Sequence, residues 1–493
     1  MTLRPTLEEV LTTAQEGVYK SVPVSTEIFS DIKTPIEVMR ILKNVSRHCY
    51  MLESIEDNRN WGRYTFLGYN PKVEFTCFNS KITIRSGDDK KEYVDLNPET
   101  YIRELLGEYK SKQYDNLPSF TGGLVGYFSY DYIKYAEPSL NLDANDTEHF
   151  KDVDLMLFDK VIAFDNFRQK IILIQNIQLK GDIEKAYKDA ENSLREMVEL
   201  IKHGEPAEIK AGRRTSDYRF LFSKEEYMEK VEQTKRHIIE GDIFQLVLSN
   251  RIEADYEGSL FDVYRQLRTV NPSPYMFYFS SDDIEMAGAS PETLVKLKNG
   301  ILHTFPLAGT RPRGKDKAED EQLEKELLAD EKEKSEHNML VDLGRNDLGK
   351  VSRFGTVEVE QYMNILKYSH VMHIGSTVKG EIREDKDAID AINAVLPAGT
   401  LSGAPKIRAC EIINKLENNK RGVYGGAIGY LDFSGNMDTC IAIRLAFKKN
   451  GKVFVRSGAG IVADSVPENE FQECVNKAKA VLTAIDESQG GIE

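Results

Sequence analysis

The 493-residue chain is 41% hydrophobic and 29% charged, ordinary globular usage that excludes disordered and fibrous classes. Its 65 basic and 80 acidic residues leave a formal charge of −15, which argues against a general binder of nucleic acid or anionic membranes. No uncharged run reaches the roughly 18 residues of a membrane helix; the longest, 391–405, holds two prolines and two glycines. The N-terminus (Met1, Arg4, Glu8, Glu9) lacks the apolar stretch of a signal peptide. Cys49, Cys77, Cys410, Cys440 and Cys474 form no CxxC pair, so a reduced, cytoplasmic protein is expected.

Along the first half, short apolar runs alternate with turns. Residues 81–85 and 170–174 read as strands, and Gly122 to Tyr130 as a glycine-opened strand. A helix is expected over 183–202, with Leu194, Met197, Val198 and Ile201 at helical spacing. Polar, irregular residues 205–221 read as a connector. Ser223, with Glu226 three residues on, reads as a capping box that opens the next helix. The charge-rich segment 315–337 reads as a solvated helix face. Residues 335–343, which include Glu336, are helical by pattern. Pro467 opens a last helix whose apolar stripe is Phe471, Val475, Ala478, Leu482 and Ile485. Glu473 lies about 200° from Phe471 around that helix, off the stripe; taken alone it is a surface carboxylate paired with Lys477.

Several motif-like stretches fail on spacing. Gly399 to Lys406 lacks the Gly-Lys-Ser/Thr ending of a phosphate loop. Gly458-Ala459-Gly460 lies between strand-like runs and opens no helix, so it is not a dinucleotide fingerprint. Glu336-His337 is not HExxH, and no cysteine sits in a thiol-amidase setting. Arg444 follows the apolar run 440–443, where an arginine suits a bidentate carboxylate clamp or an edge strand with a solvated head. His373 lies in the stretch 368–374, where a histidine could donate a proton near neutral pH.

Taken in order, five stretches closely resemble anthranilate synthase component I of the chorismate-utilising family: Pro306 to Arg311, Glu336-His337 to Asp347, Gly399 to Lys406, Tyr424-Gly425-Gly426 and Gly458-Ala459-Gly460. The resemblance runs through nearly the whole chain and is strongest from about residue 223. It implies Glu336 and Glu473 as Mg²⁺ ligands, the ion bridging to a chorismate carboxylate. It implies Gly309, Thr310, Thr400, Tyr424, Arg444, Gly458, Ala459 and Gly460 as the substrate-binding set. Glycines there let backbone N–H groups approach an anion closely. Glu292 matches the general acid for the departing C4 hydroxyl, and His373 the histidine linked to pyruvate elimination.

Two departures choose among the family's reactions. Isochorismate- and salicylate-forming relatives use a lysine to activate water where this chain has Gln245. Aminodeoxychorismate synthases carry a lysine nucleophile where it has Ala308. Neutral ammonia needs no base, and alanine offers no covalent route. The expected reaction is therefore anthranilate formation. With no glutaminase domain in the chain, ammonia is expected from a glutamine amidotransferase subunit, anthranilate synthase component II. Met51 to Ser54 and Asn271 to Met276 match the stretches of a tryptophan regulatory site, with Ser54, Pro274, Tyr275 and Met276 as its residues. The single tryptophan of the chain is Trp61, a low intrinsic background for following such an effector.

The resemblance implies an α+β fold: packed antiparallel β-sheets with outer helices, in two interlocked subdomains. The expected divisions are an N-terminal region with the tryptophan site, 1–205, and a chorismate-binding catalytic domain, 220–490.

Overall fold

Both faces of the strand Val153–Phe158 are covered, and all six of its residues are buried. That buried run, apolar but for Asp154, places it inside a layered structure. The computed structural model describes residues 1–54, 62–367 and 371–492; Trp61 lies outside them. Among the described residues there are two large sheets, one of 13 strands and one of 12, with neighbouring strands antiparallel.

Neither sheet belongs to one stretch of sequence. In the first, Cys49–Glu53 pairs with Tyr275–Ser280, in register at Met276 and Glu53. In the second, Gly123–Phe128 pairs with Ala427–Asp432. The two sheets face each other across an aromatic core. Phe66, Phe277, Phe447 and Phe454 come from the first, and Tyr127, Phe158 and Tyr430 from the second. On its outer face the first sheet packs against helices that include Ile183–His203, Phe261–Val270 and Pro467–Glu487. The second is covered by Pro98–Glu108, Glu331–Gly349 and Ala388–Val395. This is the expected arrangement of packed sheets, outer helices and interlocked subdomains.

Local signals held where chemistry at a chain end decides them. The helix Lys224–Ile239 opens on Ser223, whose hydroxyl accepts from the Glu226 amide at 3.2 Å, while the Glu226 carboxylate accepts from the Ser223 amide at 2.8 Å. Pro467 stands at the first turn of the last helix. Three details differ from expectation. Residues 205–221 contain two short strands, Arg213–Arg214 and Arg219–Phe220, that pair with Gln245–Glu257. The charged segment 315–337 spans two helices that meet at Asp330, which caps the second through its side chain. Leu327 of that segment is fully buried, so one face of it serves the core.

Candidate active site

Two places where the chain leaves one sheet for the other frame the site. Glu285–Ser290 belongs to the first sheet and Thr293–Lys298 to the second; Glu292 lies on the crossing between them. Met437–Ile441 belongs to the second sheet and Leu445–Lys449 to the first; Arg444 lies on that crossing. The crossings run side by side, and the Ile441 amide donates to the Glu292 carbonyl at 2.9 Å. Arg444 takes the sharp turn in a left-handed backbone conformation, φ 53°. It is therefore not the edge-strand arginine with a solvated head that its sequence setting allowed. Burial lowers its guanidinium pKa, opposed by Tyr424 and Glu473. Its Nη1 donates to the Lys477 carbonyl at 3.1 Å.

The Glu292 carboxyl is partly buried on its crossing. Burial pushes it up to about 7, against the Thr400 hydroxyl and the Lys477 charge, which hold it down. Thr400 Oγ1 donates to Glu292 Oε1 at 2.9 Å from the short turn Gly399–Leu401. A cavity of about 40 Å³ lies beside the pair, with Asp347 and Leu343 on its wall.

His373, Gly309 and Thr310 meet where the strand Leu307–Pro312 pairs with Val371–Glu381. A bulge falls between Ala308 and Thr310, and Gly309 occupies it at φ +64°. A Cβ there would come within 2.9 Å of Leu327, so both the conformation and the space call for glycine. His373 Nδ1 lies 2.9 Å from the Gly309 carbonyl and 3.0 Å from Thr310 Oγ1. The carbonyl accepts only, which assigns the ring proton to Nδ1 and leaves Nε2 basic. Burial and Arg444 lower the imidazole pKa, so the ring is neutral at physiological pH.

Glu336 and Glu473 approach from two helices, Glu331–Gly349 and Pro467–Glu487. The Glu336 pKa is raised, first by burial and then by the neighbouring Glu333; Glu473 adds to this, while Lys477 opposes it. Glu473 pairs with Lys477 at 2.6 Å and is half exposed. Excess carboxylate charge on an all-oxygen donor pair is the chemistry a hard divalent cation satisfies, so these residues fit Mg²⁺.

Gly458, Ala459 and Gly460 lie inside the strand Lys452–Ile461 rather than in a loop. Alternation puts the two glycines on one face and the Ala459 methyl in a core with Tyr227 and Ile461. The Gly458 carbonyl accepts from Lys477 Nζ at 3.1 Å, and Gln245 Nε2 is 3.4 Å from where a Cβ at Gly460 would stand. Tyr424 is buried, which raises its phenol pKa. Sequence reasoning placed Lys477 only as a surface partner of Glu473, yet its charge also reaches Glu292 and Glu336. Its i+4 spacing from Glu473 was the one available signal.

A second cavity, about 430 Å³, gathers Ser54, Pro274, Tyr275 and Met276 at the seam between Cys49–Glu53 and Tyr275–Ser280. That volume suits a small organic ligand. Its wall also carries Arg63, Lys296 and Asp438. The Tyr275 hydroxyl donates to Asp438 at 2.8 Å and lies 2.9 Å from Thr293 Oγ1, one residue from Glu292.

Comparison with known proteins identifies the family. The family model for chorismate binding enzymes matches residues 14–483. Anthranilate synthase component 1 of Acetivibrio thermocellus is 46% identical over 491 residues, covering 98% of this chain and 99% of that protein. The component 1 protein of Aquifex aeolicus (strain VF5) is 42% identical over 489 residues, covering 99% and 98%. The crystal structure of anthranilate synthase component I from Streptococcus pneumoniae TIGR4 matches with a TM-score of 0.76 at 38% identity, over 92% of this chain and 98% of that one. The chain belongs to the chorismate binding enzyme family, among its anthranilate synthase component I members.

Proposed function

We propose that this chain is the large, aminating subunit of an anthranilate synthase, which converts chorismate and ammonia to anthranilate and pyruvate in tryptophan biosynthesis. The observation that carries the reading is Glu292, a desolvated carboxyl that stays substantially protonated near pH 7 beside Thr400. Such a group can hand a proton to a departing hydroxyl. Ammonia adds at C2 of the ring as the C4 hydroxyl leaves as water, protonated by Glu292. The ring then aromatises as the C2 proton departs and pyruvate is expelled. Neutral His373, with Nε2 basic, is suited to accept that proton. Arg444, the Tyr424 phenol and the backbone around Gly309 and Gly458–Gly460 bind and orient the dianionic substrate. Glu336 and Glu473 would hold Mg²⁺, which supplies charge neutralisation and orientation of a substrate carboxylate when bound.

Glutamine serves as nitrogen source only through a separate amidotransferase subunit. The test is one assay with chorismate and Mg²⁺. Ammonium at alkaline pH should give fluorescent anthranilate from this chain alone, and glutamine should do so only once the partner is added. Formation of 4-amino-4-deoxychorismate instead would overturn the assignment. The five buried thiols and the absence, among the described residues, of a helix long and apolar enough to cross a membrane support a cytoplasmic location.

The 430 Å³ cavity is read as the tryptophan feedback site. Its strands come from both ends of the chain, so an effector there can favour one arrangement of the halves and lower substrate affinity. Tryptophan should inhibit. Ser54→Ala and Met276→Thr should each raise the inhibitory concentration about fivefold or more, the worth of roughly one hydrogen bond or packing contact. Basal activity should change little. Equal sensitivity in wild type and variants would remove the site.

A further inference from the structure

Three charged side chains outside the site are almost wholly buried. Glu417, Arg421 and Arg456 are each 2% exposed. The Glu417 carboxylate accepts from Arg421 at 2.6 and 2.9 Å, from Arg456 at 2.7 Å, and from the Ser249 amide and hydroxyl at 2.8 and 2.9 Å. Two cations on one anion is a costly arrangement in a core, and packing alone does not require it.

What the cluster holds lies at the site. Arg421 Nη1 donates to the Leu401 carbonyl at 2.5 Å, and Nη2 to the Val247 carbonyl at 2.7 Å. Leu401 follows Thr400, the residue that donates to Glu292. The Val247 amide in turn donates to the Ser402 carbonyl at 2.8 Å, so Arg421 spans a turn already tied to that strand. The guanidinium lies 4.5 Å from the Tyr130 ring centre and 5.8 Å from that of Tyr424. Arg456 precedes Gly458 by two residues on the same strand and also grips the Asn419 side chain at 2.9 Å and the Lys420 carbonyl at 3.1 Å.

We infer that Arg421, fixed by Glu417, is a positioning residue that holds the Thr400 turn against Glu292 and seats Tyr424. None of the cluster's hydrogen bonds goes to Glu336 or Glu473, and its members act through the groups they hold. The inference rests on Glu292 being the general acid.

The groups facing Glu292 are Thr400 from the turn, Lys477 from the last helix, and Asp347 on the wall of the shared cavity. Thr400 lowers the Glu292 pKa. Loosening the turn should therefore raise it and move the alkaline limb of the kcat–pH profile upward, by roughly half to one pH unit for one hydrogen bond. The experiment compares Arg421→Lys, Thr400→Val and the double variant, with saturating ammonium and kcat normalised to folded enzyme. Arg421→Lys keeps the charge but loses the planar fork. The expected result is an upward limb shift in each single variant, kcat down about tenfold, and no further shift in the double variant. Tyr130→Leu, which removes the ring near the guanidinium along with its hydroxyl's bond to Cys410 Sγ, should shift the limb the same way by less. It keeps the test open if Arg421→Lys does not fold.

Arg456→Lys, which leaves both Arg421–carbonyl bonds in place, should lower stability without moving the limb. An unmoved limb in Arg421→Lys or in Tyr130→Leu, or additive shifts in the double variant, would reduce the cluster to a structural role and overturn the inference. Failure of the general-acid reading is separate: it would appear as retained activity in Glu292→Gln.

Discussion

Replacing Glu292 with glutamine should reduce chorismate amination by roughly 10²- to 10⁴-fold, the range of a positioned general acid. The same change should stabilise the protein above neutral pH. The sign follows from the raised pKa. With an unfolded value of 4.5 and a folded value of about 7, the folded state holds the proton more tightly. Stability is then lost as pH rises through that window and stays lost above it. The penalty is on the order of 3 kcal/mol at most, and glutamine, which cannot ionise, removes it. Denaturant unfolding of wild type and variant at pH 5 and pH 8 checks this. The variant should gain clearly more on the wild type at the higher pH. Wild-type turnover should decline as pH rises above about 7 once ammonium is saturating. Equal stability differences at both pH values would mean that Glu292 is not desolvated, whatever its activity.

Glu336→Gln and Glu473→Gln should each abolish Mg²⁺-dependent turnover, for a different physical reason from Glu292→Gln. Removing one of two protein ligands leaves the ion with too few oxygens at the site. A readout independent of activity is available. Mg²⁺ that binds the folded state raises wild-type thermal stability as its concentration passes its Kd, and neither variant should show that rise. Without metal, Glu336→Gln should unfold no more easily than wild type at pH 8, because burial and Glu333 already disfavour the Glu336 charge. Full Mg²⁺-dependent activity in both variants would overturn the ligand assignment.

Much of the site was legible in sequence order, but little in any single residue. Glu473, on its own, was best read as half of an exposed i,i+4 pair, and that pair exists at 2.6 Å. The pair does not exclude the proposed metal role, because Lys477 also donates to the Gly458 carbonyl and the Glu473 charge still reaches Glu336. Arg444 had even claims as clamp or edge-strand residue. The crossing between sheets decides it, since a chain that changes sheet is withdrawn from both edges. The residues proposed for a tryptophan site lie in two distant stretches. They share one cavity only because Cys49–Glu53 pairs with Tyr275–Ser280.

By itself the sequence determined what depends on neighbours along the chain. It specified the capping box at Ser223, the proline start at 467, the globular class, and the ordered motifs that name the family. It also ruled out lysine chemistry at Gln245 and Ala308, because a side chain's functional group is there or not regardless of fold. Only the tertiary structure decided which carboxyls are desolvated, Glu292 among them, since burial is set by distant segments. Glu292 is set apart not by its neighbours in sequence but by lying on a crossing where Thr400, from more than a hundred residues away, donates to it. The Glu417–Arg421–Arg456 cluster shows the same limit. Its members are unremarkable in sequence. They become a unit only where a helix end, a turn and a strand converge out of water, and there unpaired charge is too costly to leave alone.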